Sequence, residues 1–271
     1  MNPGTRLAAV LGWPITHSRS PQIMNAAFSA LSIDAVLVAI GVPPEGLAAA
    51  VAGLRAQHAL GASVTIPHKL AALALCDEVS PAARAIGAVN CLHIDGERLI
   101  GHNTDEAGFT DSLVAAGFTT KAPRAVVLGA GGAARAVAYA LRHGSVAVIA
   151  RRPEEVAWIA ARPWTPEELR TSFARAELVV DCTSLGLGGP DELAVTDALP
   201  LDVLPPTAWV ATLVYHRPTR LLERARQAGH PTVDGRGMLV HQAARAFSIW
   251  TGQAAPIDVM TRALDDDLRG T

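Results

Sequence analysis

The chain has 271 residues, half of them hydrophobic, which is enough for about two domains with buried cores. No apolar run approaches the roughly 20 residues of a membrane-spanning helix, and no signal peptide is expected, since the first residues lack a basic start and a long apolar stretch. Lys and Arg number 23 against 25 Asp and Glu, a net charge of −2, which excludes a general attraction to nucleic acid or to an anionic membrane.

Strands and helices alternate from the start. Residues 6–11 read as a strand and 21–31 as a helix. Residues 35–40 read as a strand, 44–57 as a helix, 62–66 as a strand and 67–75 as a helix. Two short strands, 88–94 and 98–100, flank the turn Asp95-Gly96. Helix 105–116 stops at Gly117, and the loop 119–123 follows. Strand 125–128 then runs into a glycine turn, helix 133–142 and strand 146–149. Later strands are expected at 177–180 and 209–214, with helices at 218–228, 235–250 and 256–268. The glycine- and proline-bearing stretch 186–201 reads as a mobile surface loop. Asp265, Asp266 and Asp267 read as a solvated face. This βαβ alternation marks an α/β protein with mainly parallel sheets.

Gly129-Ala130-Gly131-Gly132-Ala133-Ala134 fits G-x-G-x-x-G/A between a strand and a helix. Gly129 allows the tight turn, Gly131 lets backbone approach a pyrophosphate, and Ala134 lets helix and strand pack closely. The helix start then offers free N–H groups to phosphates. An ordinary strand-to-helix turn is the plainer reading. The next strand ends in Ala150-Arg151-Arg152, where NAD enzymes usually carry an acid for the ribose hydroxyl. Two arginines there suit a 2′-phosphate, so NADP is favoured over NAD.

The basic residues are 21 arginines and only two lysines, Lys69 and Lys121. A buried ammonium can lose its proton, whereas a guanidinium effectively cannot. Lys69 falls in the expected first turn of helix 67–75, where a cation is electrostatically unfavourable. The three cysteines, Cys76, Cys91 and Cys182, form no CxxC pair, so free thiols in a reducing cytoplasm are expected. The nine histidines show no HExxH, and no metal is expected.

Four stretches carry the remaining chemistry: Thr16-His17-Ser18-Arg19-Ser20-Pro21, Ser63-Val64-Thr65-Ile66-Pro67-His68-Lys69, Gly87-Ala88-Val89-Asn90 and Gly101-His102-Asn103-Thr104-Asp105. Each alone could be a cap or a turn; Ser20, before Pro21, is a good N-cap. Together with the glycine turn and Asp234-Gly235-Arg236-Gly237-Met238-Leu239-Val240-His241-Gln242-Ala243, they closely resemble the shikimate dehydrogenase family in order and spacing. The resemblance spans nearly the whole chain.

It implies an α/β protein of two domains: an N-terminal substrate-binding domain (1–105), a Rossmann-type NADP-binding domain (106–236) and C-terminal helices (237–271) returning to the first. The implied reaction interconverts 3-dehydroshikimate and shikimate in a cleft between the domains. Lys69 and Asp105 would be catalytic. Ser18, Ser20 and Tyr215 would hold the substrate carboxylate, and Thr65, Asn90 and Gln242 its ring hydroxyls. Gly129, Ala130, Gly131, Gly132, Ala133, Arg151, Arg152, Thr183 and Gly237 would contact NADP. The family's pattern is broken at Ser63, Glu106, Ala150, Arg152, Asp181 and Thr212. Quinate or an amino-substituted relative is the alternative substrate, although Ser20 stands where quinate-using members tend to have threonine. A non-catalytic NADP-binding protein is the other alternative. A monomer or homodimer without nucleic-acid or membrane partners is expected.

Overall fold

A computed structural model describes residues 2–187, 189 and 191–269. In chain order its elements are β1 (Arg6–Gly12), α1 (Ser20–Ala30), β2 (Ala35–Gly41), α2 (Leu47–Ala56), β3 (Gly61–Val64), β4 (Glu78–Val79), α3 (Pro81–Ile86), β5 (Cys91–Asp95), β6 (Arg98–His102) and α4 (Asp105–Ala115). They continue with β7 (Arg124–Leu128), α5 (Gly132–Ala140), β8 (Ser145–Ala150), β9 (Arg162–Pro163), α6 (Pro166–Phe173), β10 (Leu178–Asp181) and α7 (Glu192–Asp197). The last are β11 (Trp209–Thr212), α8 (Arg220–Gln227), β12 (Thr232–Val233), α9 (Gly235–Thr251) and α10 (Ile257–Arg269). Two compact units result: residues 1–108 with 239–271, and residues 109–238. Among the described residues no helix is long and apolar enough to cross a membrane.

The first unit is built on a mixed sheet ordered β2-β1-β3-β5-β6-β4. Strands β2, β1 and β3 run parallel, while β5 is antiparallel to both β3 and β6. Successive side chains of a strand point to opposite faces, and β1 is apolar at every inner position. Ala8 and Val10 therefore join Phe28 of α1 with Phe247, Trp250, Met260 and Leu264 of the C-terminal helices. Ala9 and Leu11 face Leu47, Val51 and Leu54 of α2. Burial of Phe247 and Trp250 against Phe28 is what returns the end of the chain to its beginning; the two phenylalanine rings lie 5.4 Å apart.

The second unit is wholly parallel, ordered β12-β11-β10-β7-β8-β9. Numbered from β7, this is the doubly wound Rossmann order, with its switch point between β7 and β10. Val127 and Val180 pack on α5, whereas Val126, Leu128 and Val179 pack with Leu169 and Phe173 of α6 and Leu221 of α8.

Four expectations are corrected. Residues 67–75 form turns and then a 3-10 segment, Ala71–Leu75, rather than an α-helix. The Lys69 carbonyl accepts from Val89 N at 2.8 Å, so it is not part of an i→i+4 ladder, and Lys69 precedes the 3-10 segment instead of lying in the first turn of an α-helix. The stretch 186–201 contains α7, whose Glu192 and Thr196 are buried; Gly188 and Pro190 lie outside the described residues. Ser20 is the first residue of α1 and its hydroxyl caps nothing. Asp267 is ion-paired to Arg19 at 2.9 Å rather than merely solvated.

One contact sets the site's far wall. Helices α4 and α9 meet backbone to backbone at Gly108, where a Cβ would lie 2.6 Å from the Gln242 backbone nitrogen. Gly108→Ala should therefore cost about 1–3 kcal/mol of overpacking. Thermal unfolding followed by circular dichroism should show a fall of several degrees; a melting temperature equal to wild type would contradict this packing.

Candidate active site

Loops, strand ends and helices α4 and α9 of the first unit bring six polar side chains together. Lys69, held by its carbonyl to Val89, extends its ammonium to Asp105 Oδ2 at 2.6 Å. The two side chains are only 15% and 5% exposed. The other carboxylate oxygen, Asp105 Oδ1, accepts from Asn90 Nδ2 at 2.8 Å. Asn90 also donates to Thr104 Oγ1 at 3.0 Å and reaches Gln242 Oε1 at 3.4 Å. Its own Oδ1 accepts from Thr104 N at 2.6 Å. Asn103 completes the corner: its amide nitrogen donates to Ala88 O and its oxygen accepts from Asp105 N, which fixes the start of α4. An ion pair removed from water is costly unless its remaining lone pairs are satisfied, and here Asn90 satisfies them.

Around this centre lie further polar groups. His68, fully buried, donates from Nε2 to Val42 O at 2.7 Å, anchoring the loop that carries Lys69. Thr65 donates its N–H to Leu11 O, and its methyl approaches where a Cβ on Gly12 would stand. Ser18 Oγ accepts from the backbone N–H of Ser20 at 3.4 Å, where α1 begins. Gln242 Nε2 donates to Leu239 O at 2.8 Å.

In the second unit Gly129 has a φ of +96° and a Cβ there would lie 3.2 Å from Cys182 O, so glycine is required. A Cβ on Gly131 would meet nothing within 4 Å. Packing does not demand that glycine, and the space before it is open. Helix α5 starts at Gly132 without a side-chain cap, leaving N–H groups for an anion, and Ala134 is fully buried against the sheet. Arg151 is exposed, whereas Arg152 is ion-paired to Glu155 at 2.8 Å. These features fit a dinucleotide with a phosphate at the β8 end. Asp181 accepts at Oδ1 from Thr183 N and Oγ1 at 2.9 and 2.6 Å, holding the loop after β10. Gly237 packs on Ser112, where a Cβ would stand 3.0 Å from that side chain. Tyr215, half-buried beyond β11, meets the His216 ring edge-on at 5.6 Å. Among the described residues no cluster of three or more His, Cys, Asp or Glu could hold a metal.

Residues 10–92 match the family described as shikimate dehydrogenase substrate binding domain, and residues 235–264 match the shikimate 5'-dehydrogenase C-terminal domain. The NADP(+) shikimate dehydrogenase of Symbiobacterium thermophilum is 46% identical over 99% of this chain and 96% of its own. The chain belongs to the shikimate dehydrogenase family. The enzyme of Moorella thermoacetica bearing the same name is 44% identical, covering 96% of this chain and 92% of its own. The shikimate 5-dehydrogenase of Thermus thermophilus, solved in complex with NADP(H) and shikimate, is 36% identical with a TM-score of 0.84, over 96% and 99% of the two chains.

Of the family positions read from sequence, Lys69, Asp105, Asn90 and Gln242 form one hydrogen-bonded group. Ser18 and Ser20 adjoin each other. Tyr215, Thr183, Gly237 and both arginines belong to the second unit. Sequence reasoning missed His68, whose side chain ties down the lysine loop, and Gly108. It marked Asp181 only as a departure, yet that carboxylate is the acceptor that orders Thr183.

Burial raises the Asp181 carboxyl above its usual range, the Thr183 bonds oppose this, and Glu192 adds to it. A raised carboxyl contributes stability below its unfolded pKa and loses it as pH rises through the folded value. Asp181→Asn keeps an acceptor for Thr183 and cannot ionise. Its melting temperature near about pH 8 should equal or exceed wild type, and the difference should shrink as pH falls toward the ordinary carboxylate range. A clearly lower value at the higher pH would contradict this.

Proposed function

We infer that this chain is an NADP-dependent shikimate dehydrogenase that interconverts 3-dehydroshikimate and shikimate, within aromatic amino-acid biosynthesis. The observation that carries this is the shielded Lys69–Asp105 pair, braced by Asn90, in a chain of this family. The first unit takes the substrate and the second takes NADP, which supplies the hydride chemistry when bound.

Reducing a ring ketone places negative charge on its oxygen. The Lys69 ammonium is the group that stabilises that charge and delivers the proton, and in the reverse direction the amine takes the proton back. Asp105 orients the ammonium by a charge-assisted bond and keeps the cation in place. Ser18 and Ser20 offer hydroxyls to the substrate carboxylate at the start of α1, and Tyr215 is assigned to the same group. Thr65 and Gln242 serve the ring hydroxyls. Asn90, almost wholly buried, serves them as well as holding Asp105. The Gly129–Ala133 turn, Arg151, Arg152, Thr183 and Gly237 form the NADP side. Ser20 favours shikimate over quinate. Three free cysteines suit a reducing cytoplasm.

Lys69→Ala should lower kcat by roughly 10²–10⁴-fold with substrate still bound, and Lys69→Arg should not restore it, because guanidinium holds its proton. A rise in KM alone, with kcat within about threefold, would reduce Lys69 to a binding group. Ser18→Ala and Ser20→Ala should instead raise the KM for shikimate about three- to tenfold, the worth of one hydrogen bond of about 0.5–1.5 kcal/mol. Steady-state kinetics with shikimate and quinate, each with NADP and NAD, separates these cases; unchanged KM in both serine variants would remove them from the site.

A further inference from the structure

The β8 end holds less positive charge than its two arginines suggest. Arg151 and Arg152 are followed by Glu154 and Glu155, and Arg152 is bonded to Glu155. The four charges of this segment cancel. A phosphate monoester brings roughly −1.5 to −2, so a site built from this segment alone would be short of cation.

Arg135 supplies one. It lies in the first turn of α5, directly after the glycine turn. Among the described residues it has no acidic partner, and its Nε is buried without a hydrogen bond. Its guanidinium lies 5.4 Å from the centre of the Trp158 ring. Trp158 belongs to the same β8–β9 connection as Arg151 and donates from Nε1 to Ala130 O of the glycine turn at 3.3 Å. The indole thus ties the two loops together and presents a face to the guanidinium. Stacking on an aromatic face orients the planar donor fork while leaving its edge N–H groups unspent. Burial lowers the Arg135 pKa, with no carboxylate to offset it. An arginine kept partly desolvated, unpaired and oriented is poised for an external anion.

We propose that Arg135, held by Trp158, is a ligand of the 2′-phosphate of NADP and supplies the charge that Arg152 spends on Glu155. This rests on the NADP reading above. Isothermal titration of the full chain with NADP⁺ and with NAD⁺ tests it. Wild type should bind NADP⁺ the more tightly. Arg135→Gln should weaken NADP⁺ about tenfold or more and leave NAD⁺ within about twofold, with an unchanged melting temperature. Arg135→Lys should fall between, because the charge remains but the fork is lost. Unchanged NADP⁺ binding, or equal loss for both dinucleotides, in a protein whose wild type prefers NADP⁺ would overturn the proposal alone. A wild type without that preference would overturn the cofactor reading and the proposal together.

Discussion

Asp105 spends both of its oxygens, one on Lys69 at 2.6 Å and the other on Asn90 at 2.8 Å. Everything that positions the site can be traced to keeping those two bonds. The pair is shielded from water, and the desolvation of two such charges costs several kcal/mol per ion, about as much as their attraction returns. What tips the balance is geometry fixed in advance. The β5–β6 hairpin brings Asn90 beside His102 through a backbone bond, and Thr104 N closes onto the Asn90 oxygen. The lysine is fixed from its other end, since its carbonyl accepts from Val89, one residue before Asn90. The ammonium and carboxylate are thus placed by neighbouring backbone bonds of one corner of the sheet.

The same constraint explains the glycines that matter. Gln242 can approach Asn90 because Gly108 leaves no side chain between α4 and α9. Phe28, Phe247 and Trp250 hold the far end of α9 on the first sheet. In the second unit the steric logic is different. Gly129 is forced by backbone across the switch point, while a Cβ on Gly131 would meet nothing within 4 Å, so packing does not demand that glycine.

The strand–helix alternation was legible because β1, β2, β7 and β10 are apolar runs bounded by breakers, and because glycine, serine and proline punctuate them. Helix α3 is legible in the sequence too: Ser80 caps it, Pro81 opens it, and Gly87 ends it at a φ of +71°. Helix α6 carries the equivalent signal in Thr165 and Pro166. The lysine loop could not be read locally. Its composition suits a helix, and a bond to Val89, 20 positions away in sequence, decides otherwise. The pairing of Lys69 with Asp105 likewise follows from register across the sheet, which the family resemblance implied and spacing alone could not supply. Arg135 directly follows the glycine motif in sequence, but its lack of an acidic partner among the described residues and its stacking on Trp158 are visible only in three dimensions.

The central claim is that Lys69 and Asp105 act as one proton-handling unit. A double-mutant cycle on kcat, comparing Lys69→Ala, Asp105→Asn and the double variant, tests it most directly. If the carboxylate works only through the lysine, the double variant is no slower than Lys69→Ala alone, within about threefold. If the two losses multiply, the residues act independently and the account is wrong.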